Sequence, residues 1–190
     1  MTDMGIWQRL LTTQDSLKRR LLFIGWLTAE LKTHGIEPIL VGGNALEFYT
    51  LGAYATVDID LVCTHPEQID RLLQGEGFQQ EGRHWYRPDI DIAVEIPATS
   101  LAGSYQRVET VMVEEFVVYV IGKEDLIVDR LNACVHWRSE EDCRWVKELI
   151  LLYQQELDWE YLRERTRAEA TFEKLKELRQ EIEELSDDGL

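Results

Sequence analysis

Three things are scarce in this sequence, and each scarcity closes off a class of protein. No stretch approaches the roughly 20 uninterrupted apolar residues that a helix needs to cross a bilayer. The first residues carry Asp3, Gln8 and Arg9 where a signal peptide needs an apolar core, so no membrane association and a cytoplasmic location are expected. Cysteine is limited to Cys63, Cys134 and Cys143, an odd number with no CxxC pair. Neither a disulfide framework nor a zinc site is suggested, and the expectation is three reduced thiols. Positive charge is the third shortage: 20 Lys and Arg stand against 36 Asp and Glu, a net charge of −16. Such a surface repels phosphate backbones, which disfavours broad binding to nucleic acid. Part of the excess lies in the run from Glu181 to Asp188, which reads as a solvated tail.

What is present is ample apolar content for a core, ordered in two different periodicities. An apolar stripe of Leu10, Leu11, Leu17, Leu21, Ile24, Leu27 and Leu31 predicts a helix from Ile6 to about Lys32, with Trp7 and Trp26 on its packed face. A strand over Glu37–Val41, a short helix to about Leu51 and a strand over Val57–Cys63 follow, then a helix opening at Pro66 and running to Gly75. Strict alternation over Asp89–Ile96 predicts a half-buried strand, ended by Pro97, with Asp89, Asp91, Ala93 and Glu95 on one face. Val108–Val113 and Phe116–Ile121 are further strand candidates. From Lys123 the pattern turns helical, with a cap at Ser139 and a last helix from about Asp158. Leu175, Leu178, Ile182 and Leu185 form a short heptad seam that packs on the domain or pairs with another chain.

The stretch with chemistry in it is Val41-Gly42-Gly43-Asn44, answered by Asp58-Ile59-Asp60. An apolar run precedes the glycines and a helical pattern follows, so they form a strand-to-helix turn. There the main chain can approach a ligand without a Cβ in the way, and unpaired N–H groups suit phosphate. Asp58 and Asp60 lie two apart in a strand, on the same side and about 6.6 Å between Cα atoms, so their carboxylates can share a cation.

A strand, a Gly-Gly turn, a helix, a strand with Asp-x-Asp and a further carboxylate on a neighbouring strand resembles the polymerase-beta-type nucleotidyltransferase superfamily. Within it the chain looks most similar to small bacterial abortive-infection-type nucleotidyltransferase toxins, through Gly42-Gly43, Asp58-Ile59-Asp60, the run Lys123–Leu131 and Asp142. Related proteins often carry an arginine four residues before the first aspartate; here that position is Tyr54, with Thr56 retained.

The resemblance implies an α+β fold, a nucleotidyltransferase-like mixed sheet packed with helices and followed by a helical C-terminal part. The resemblance covers about residues 36–150, and the whole chain is expected to divide into 1–122 for the core with its N-terminal helix, 123–156 for a helical region packed on it, and 157–190 for an amphipathic helix with an acidic tail. It implies Mg²⁺-dependent transfer, with Mn²⁺ as a substitute, of a nucleoside monophosphate from an NTP to a hydroxyl on a protein, an RNA end or a small molecule. Asp58, Asp60 and Glu95 would be catalytic and hold the metal, with Asp91 the alternative to Glu95; Gly42, Gly43, Asn44, Thr56, Lys123 and Arg130 would bind substrate. The competing expectation is a non-catalytic module of the same fold that pairs through its last helix, as a homodimer or with an antitoxin.

Overall fold

The computed structural model describes residues 5–187, and contacts divide them into two units, one up to Ile121 and one from Gly122. In the first unit the long helix expected at the start is two helices, α1 (Ile6–Thr12) and α2 (Ser16–Lys32). The break has a local cause: Asp15 leaves helical geometry and its side chain accepts from the Lys18 N–H, capping α2. Trp7 of α1 meets Trp26 of α2 edge-on at 4.8 Å between ring centres, so the two tryptophans do share one packed face.

The sheet has seven strands: β1 (Ile39–Val41), β2 (Asp58–Val62), β3 (Gln79–Glu81), β4 (His84–Arg87), β5 (Ile92–Ala98), β6 (Glu109–Val113) and β7 (Phe116–Val120). Their order is β3-β4-β5-β2-β1-β7-β6, mixed in direction: β2 is antiparallel to β1 and parallel to β5, and β1 is parallel to β7. This is the α+β class expected. Period-two alternation sends Leu40, Ile59, Leu61, Val94, Val118 and Val120 to one face, where all six are fully buried. Helix α2 packs on β7, and α3 (Gly42–Tyr49) packs on β1 and β2. α4 (Pro66–Gly75) opens with Pro66 in its first turn, and its Asp70 accepts a 2.7 Å bond from the Trp85 indole. The opposite face carries Val41, Asp58, Asp60 and Glu95.

Two expectations about β5 are corrected. Asp89 and Asp91 lie in the turn before the strand, with Asp91 at φ +51°, so the alternation of the sequence begins three residues before the ladder does. Nor does Pro97 end the strand, which runs to Ala98. Pro97 stands beyond Glu95, the last residue of β5 that β4 pairs, and at a shift in the β2–β5 register, so its missing N–H breaks no regular ladder.

The second unit is four helices, α5 (Lys123–His136), α6 (Glu140–Tyr153), α7 (Trp159–Ala168) and α8 (Phe172–Asp187). Ser139 caps α6 by accepting from the Asp142 N–H. The single last helix expected from Asp158 is divided between α7 and α8, with Ala170 at φ +58° in the break. Leu175, Leu178 and Ile182 are buried where α8 meets α5, α6 and α7, so this much of the heptad seam packs within its own unit; the Leu185 side chain and Asp188 lie outside the described residues. The expectation of three free thiols is overturned: Cys134 of α5 and Cys143 of α6 form a disulfide, their Cα atoms 4.9 Å apart across the α5–α6 turn. Spacing of nine residues gave no motif to read. The capped turn between the helices is what brings the two sulfurs together. Cys63 is free and buried, and burial pushes its thiol pKa up.

Two outcomes follow. Thiol titration of the unreduced chain in denaturant should give one thiol, Cys63, and three after reduction; three before reduction would refute the cross-link. Closing so short a loop contributes about 2–3 kcal/mol, so Cys134→Ser should lower stability to urea by about that amount. At the acid end, α1 is tied through Arg9 to Glu114 and Glu115 in the β6–β7 turn. The hydrogen bond from Arg9 holds Glu115 down to about 2 from an ordinary 4.5, and Glu114 is lowered by Lys18 and Arg9. A depressed carboxylate pKa contributes stability above the ordinary value and loses it as pH falls through the folded value. Amide protection in α1 should therefore weaken as pH falls from about 4.5 to 2, by hydrogen-exchange NMR. In Arg9→Met that pH dependence should flatten.

Candidate active site

The site is built by strand register. Val41 is the Cα partner of Asp60, and Asp60 is the Cα partner of Glu95 on the other side, so these three stand abreast on one face of β1, β2 and β5. Asp58, two residues before Asp60, points to the same face and is exposed at the strand's start; Asp60 is half-buried and Glu95 is buried. His84 is the partner of Glu95 on β4 and joins this row.

The glycine corner closes the row at β1. Gly42 has φ +61°, a conformation that favours glycine, and a Cβ there would stand 2.9 Å from Asp60 Cγ and overlap the carboxylate itself. Two separate constraints thus require glycine at 42, and the second places the main chain directly on an aspartate. A Cβ on Gly43 would press on Thr56 and on the Tyr54 ring, at 3.1 and 3.3 Å. Thr56 therefore lies against the turn, as does Tyr54. α3 starts at Gly42, beside the acidic row, and its N-cap residue Val41 makes no side-chain cap bond.

Asn44 is held by contacts within the protein. It is fully buried; its amide donates to the Asp58 carbonyl at 2.7 Å and accepts from Arg20 Nε at 2.9 Å. Arg20, itself buried, also forms a 2.6 Å ion pair with buried Glu47, whose carboxylate accepts from the Thr56 N–H at 3.4 Å. One guanidinium on α2 therefore ties the helix after the glycines to both ends of the segment that leads into Asp58. Sequence reading missed Arg20 and Glu47, because a charged pair 27 residues apart on two helices has no local pattern.

The acidic row is not bare. Arg83 Nε lies 2.8 Å from Glu95 and His84 Nδ1 lies 3.5 Å from it, while Arg83 is 77% exposed and so free to swing. With Glu95 turned to these partners, no three His, Cys, Asp or Glu side chains among the described residues form a ready metal cage. The donor chemistry and the register nonetheless fit a hard dication: three carboxylates on one face of adjacent strands, with a backbone turn beside them. Asp91 does not join them. It faces the Tyr86 hydroxyl at 3.5 Å and Arg19 at 3.8 Å from the β4–β5 turn, which leaves Glu95 as the carboxylate beside Asp60.

Lys123 and Arg130 belong to the second unit. Lys123 lies 3.4 Å from Glu156 and over the Tyr153 ring; Arg130 pairs with Asp129 at 2.6 Å and Asp142 at 3.1 Å.

Removing Arg20 leaves the Glu47 carboxylate buried without its cation, so Arg20→Met should cost about 3–5 kcal/mol in urea denaturation. Arg20→Met with Glu47→Leu should recover much of that loss, since an apolar pair avoids the desolvation of both charges. A single mutant within about 1 kcal/mol of wild type would remove this network from the account.

A family model described as nucleotidyltransferase of unknown function (DUF6036) matches residues 20–187. Among solved structures, the fold is similar to an antigenic nucleotidyltransferase-like protein from Paracoccidioides brasiliensis, with TM-score 0.57 and 18% identity over 74% of this chain and 78% of that one. It is also similar to the antibiotic-resistance factor ANT(2'')-Ia, with TM-score 0.50 and 13% identity over 86% of this chain and 94% of the other. No curated protein matches. At these identities the two structures speak for the fold alone, and the family rests on the model that spans nearly the whole sequence, Arg20 and the glycine corner included: this chain belongs to the DUF6036 family of nucleotidyltransferases.

Proposed function

We propose that this protein transfers a nucleoside monophosphate from an NTP to an acceptor hydroxyl, using Asp58, Asp60 and Glu95. The observation that carries the reading is the contact of Gly42 with Asp60: the turn that opens α3 stands against a carboxylate that has a second carboxylate, Glu95, beside it in register. Phosphate oxygens want the first of these, and the cation that accompanies them wants the others. Asp58, Asp60 and Glu95 would hold Mg²⁺ or Mn²⁺, which when bound neutralises phosphate charge and makes the acceptor hydroxyl more acidic.

This chain's own groups do the remaining work. The Gly42 and Gly43 backbone seats the phosphates, and Thr56 and Tyr54 pack against the turn at Gly43. The acceptor oxygen forms a bond to the α-phosphorus as the bond to the leaving pyrophosphate breaks, and the hydroxyl proton passes to a carboxylate of the row. Glu95 suits that role, since buried surroundings strengthen each interaction it makes. For the carboxylate to act, Arg83 swings off it into solvent. The net charge of −16 favours a protein or small-molecule acceptor over a large RNA.

Calorimetry should show NTP binding that requires Mg²⁺ and is lost in Asp58→Asn, with thermal melting unchanged because the residue is exposed. Glu95→Gln should retain much of the binding and lose about 100-fold or more in turnover. Absence of wild-type binding at about 1 mM NTP, a weak affinity of about 4 kcal/mol, would refute the proposal.

A further inference from the structure

A concave site lies on the same sheet face as the acidic row, at the far end of β1. Ile39 is the register partner of Tyr119, and Tyr119 of Thr110, so the three share a face; Ile39 also lies two residues, about 6.6 Å, from Val41 of the acidic row. Together with Glu37, Tyr105 and Thr64 they line an open cleft of about 380 Å³, within the range of small-molecule sites. Its lining includes none of Asp58, Asp60 or Glu95, so what it binds is independent of the transfer reading.

The chemistry of the lining is selective. Its one charged group is Glu37, whose carboxylate accepts a 2.9 Å bond from the Tyr119 hydroxyl and has no ion pair with a cation among the described residues. Tyr105 is 56% exposed, yet its hydroxyl oxygen is fixed by the Leu101 N–H at 3.0 Å. Both phenols are thus anchored by their oxygens, which holds the rings in place at the cleft. Anions are repelled by Glu37 and by the charge of the whole chain. A hard metal ion would want several carboxylates and finds one. A weakly hydrated organic cation is suited by what is there: one carboxylate for its charge, aromatic rings for its alkyl groups, and threonine hydroxyls for a polar substituent.

We propose that this cleft binds a small organic ammonium ion, held by the Glu37 carboxylate and the rings of Tyr105 and Tyr119. Choline is the probe, and 3,3-dimethylbutanol is its neutral counterpart of the same shape. Titration of the full chain in about 0.15 M NaCl, which screens diffuse attraction to the acidic surface, should show saturable choline binding by saturation-transfer NMR and calorimetry. The neutral alcohol should bind about tenfold more weakly or worse, as should choline to Glu37→Gln or Tyr105→Ala. Both substitutions are at exposed positions, so a thermal melt close to wild type should accompany them. Asp58→Asn should bind choline as wild type does, whatever becomes of nucleotide binding. Equal affinity for the alcohol, undiminished binding by Glu37→Gln, or no saturation up to about 50 mM choline would overturn the proposal.

Discussion

The buried guanidinium of Arg20 is the constraint on which the acidic site depends. Burying a charge costs several kcal/mol unless it is paired and hydrogen-bonded, and here Glu47 and Asn44 supply both. The consequence is geometric. Asn44 and Glu47 sit on one helix turn, and through them α2 grips the start of α3, the Thr56 backbone and the Asp58 carbonyl at once. The glycine corner and the first aspartate cannot drift apart without breaking a buried polar network, and leaving such groups unpaired is costly.

The sheet then divides labour between its faces. One is sealed by helices over fully buried aliphatic residues, and this rigid backing fixes the pairing of β2 with β1 and β5. The other keeps polar groups: three carboxylates at one end of β1 and a tyrosine-lined cleft at the other. Register is what makes carboxylates from distant parts of the sequence neighbours, since a slip of one residue would turn Asp60 or Glu95 into the core. Arg83 and His84 place positive or polarisable groups on Glu95, which offsets the repulsion that neighbouring carboxylates impose on each other. Because Arg83 is well exposed, that compensation is easily exchanged for another cation.

The second unit uses the same economy of buried charge. Asp125 is fully buried and is met by the Tyr161 hydroxyl at 2.7 Å and Arg165 at 3.1 Å. Burial and this carboxylate together push the Tyr161 phenol pKa up, so it stays protonated and donates. Glu124 turns to the Asp158 N–H and helps to start α7. The acidic helix run that resembles a family motif is therefore engaged largely in holding its own bundle together.

Much of this was legible in the sequence because it is set locally. The strands β2 and β7, the Pro66 helix start, the Ser139 cap and the glycine turn before a helical pattern all depend on residues a few positions apart, and each appears where the sequence puts it. The Asp-x-Asp pair on a strand was readable for the same reason. Partners distant along the chain were not. Arg20 with Glu47, Arg83 with Glu95 and Cys134 with Cys143 carry no spacing that marks them, and Asp91 fitted the alternation as well as Glu95 did. Local periodicity marked β1, β2, β5, β6 and β7, though not the short β3 and β4, and it put Asp58 and Asp60 on one side of β2. Only packing decided which polar groups meet, because strand register and helix docking are fixed by burial summed over the whole unit, a quantity that no single window of sequence contains.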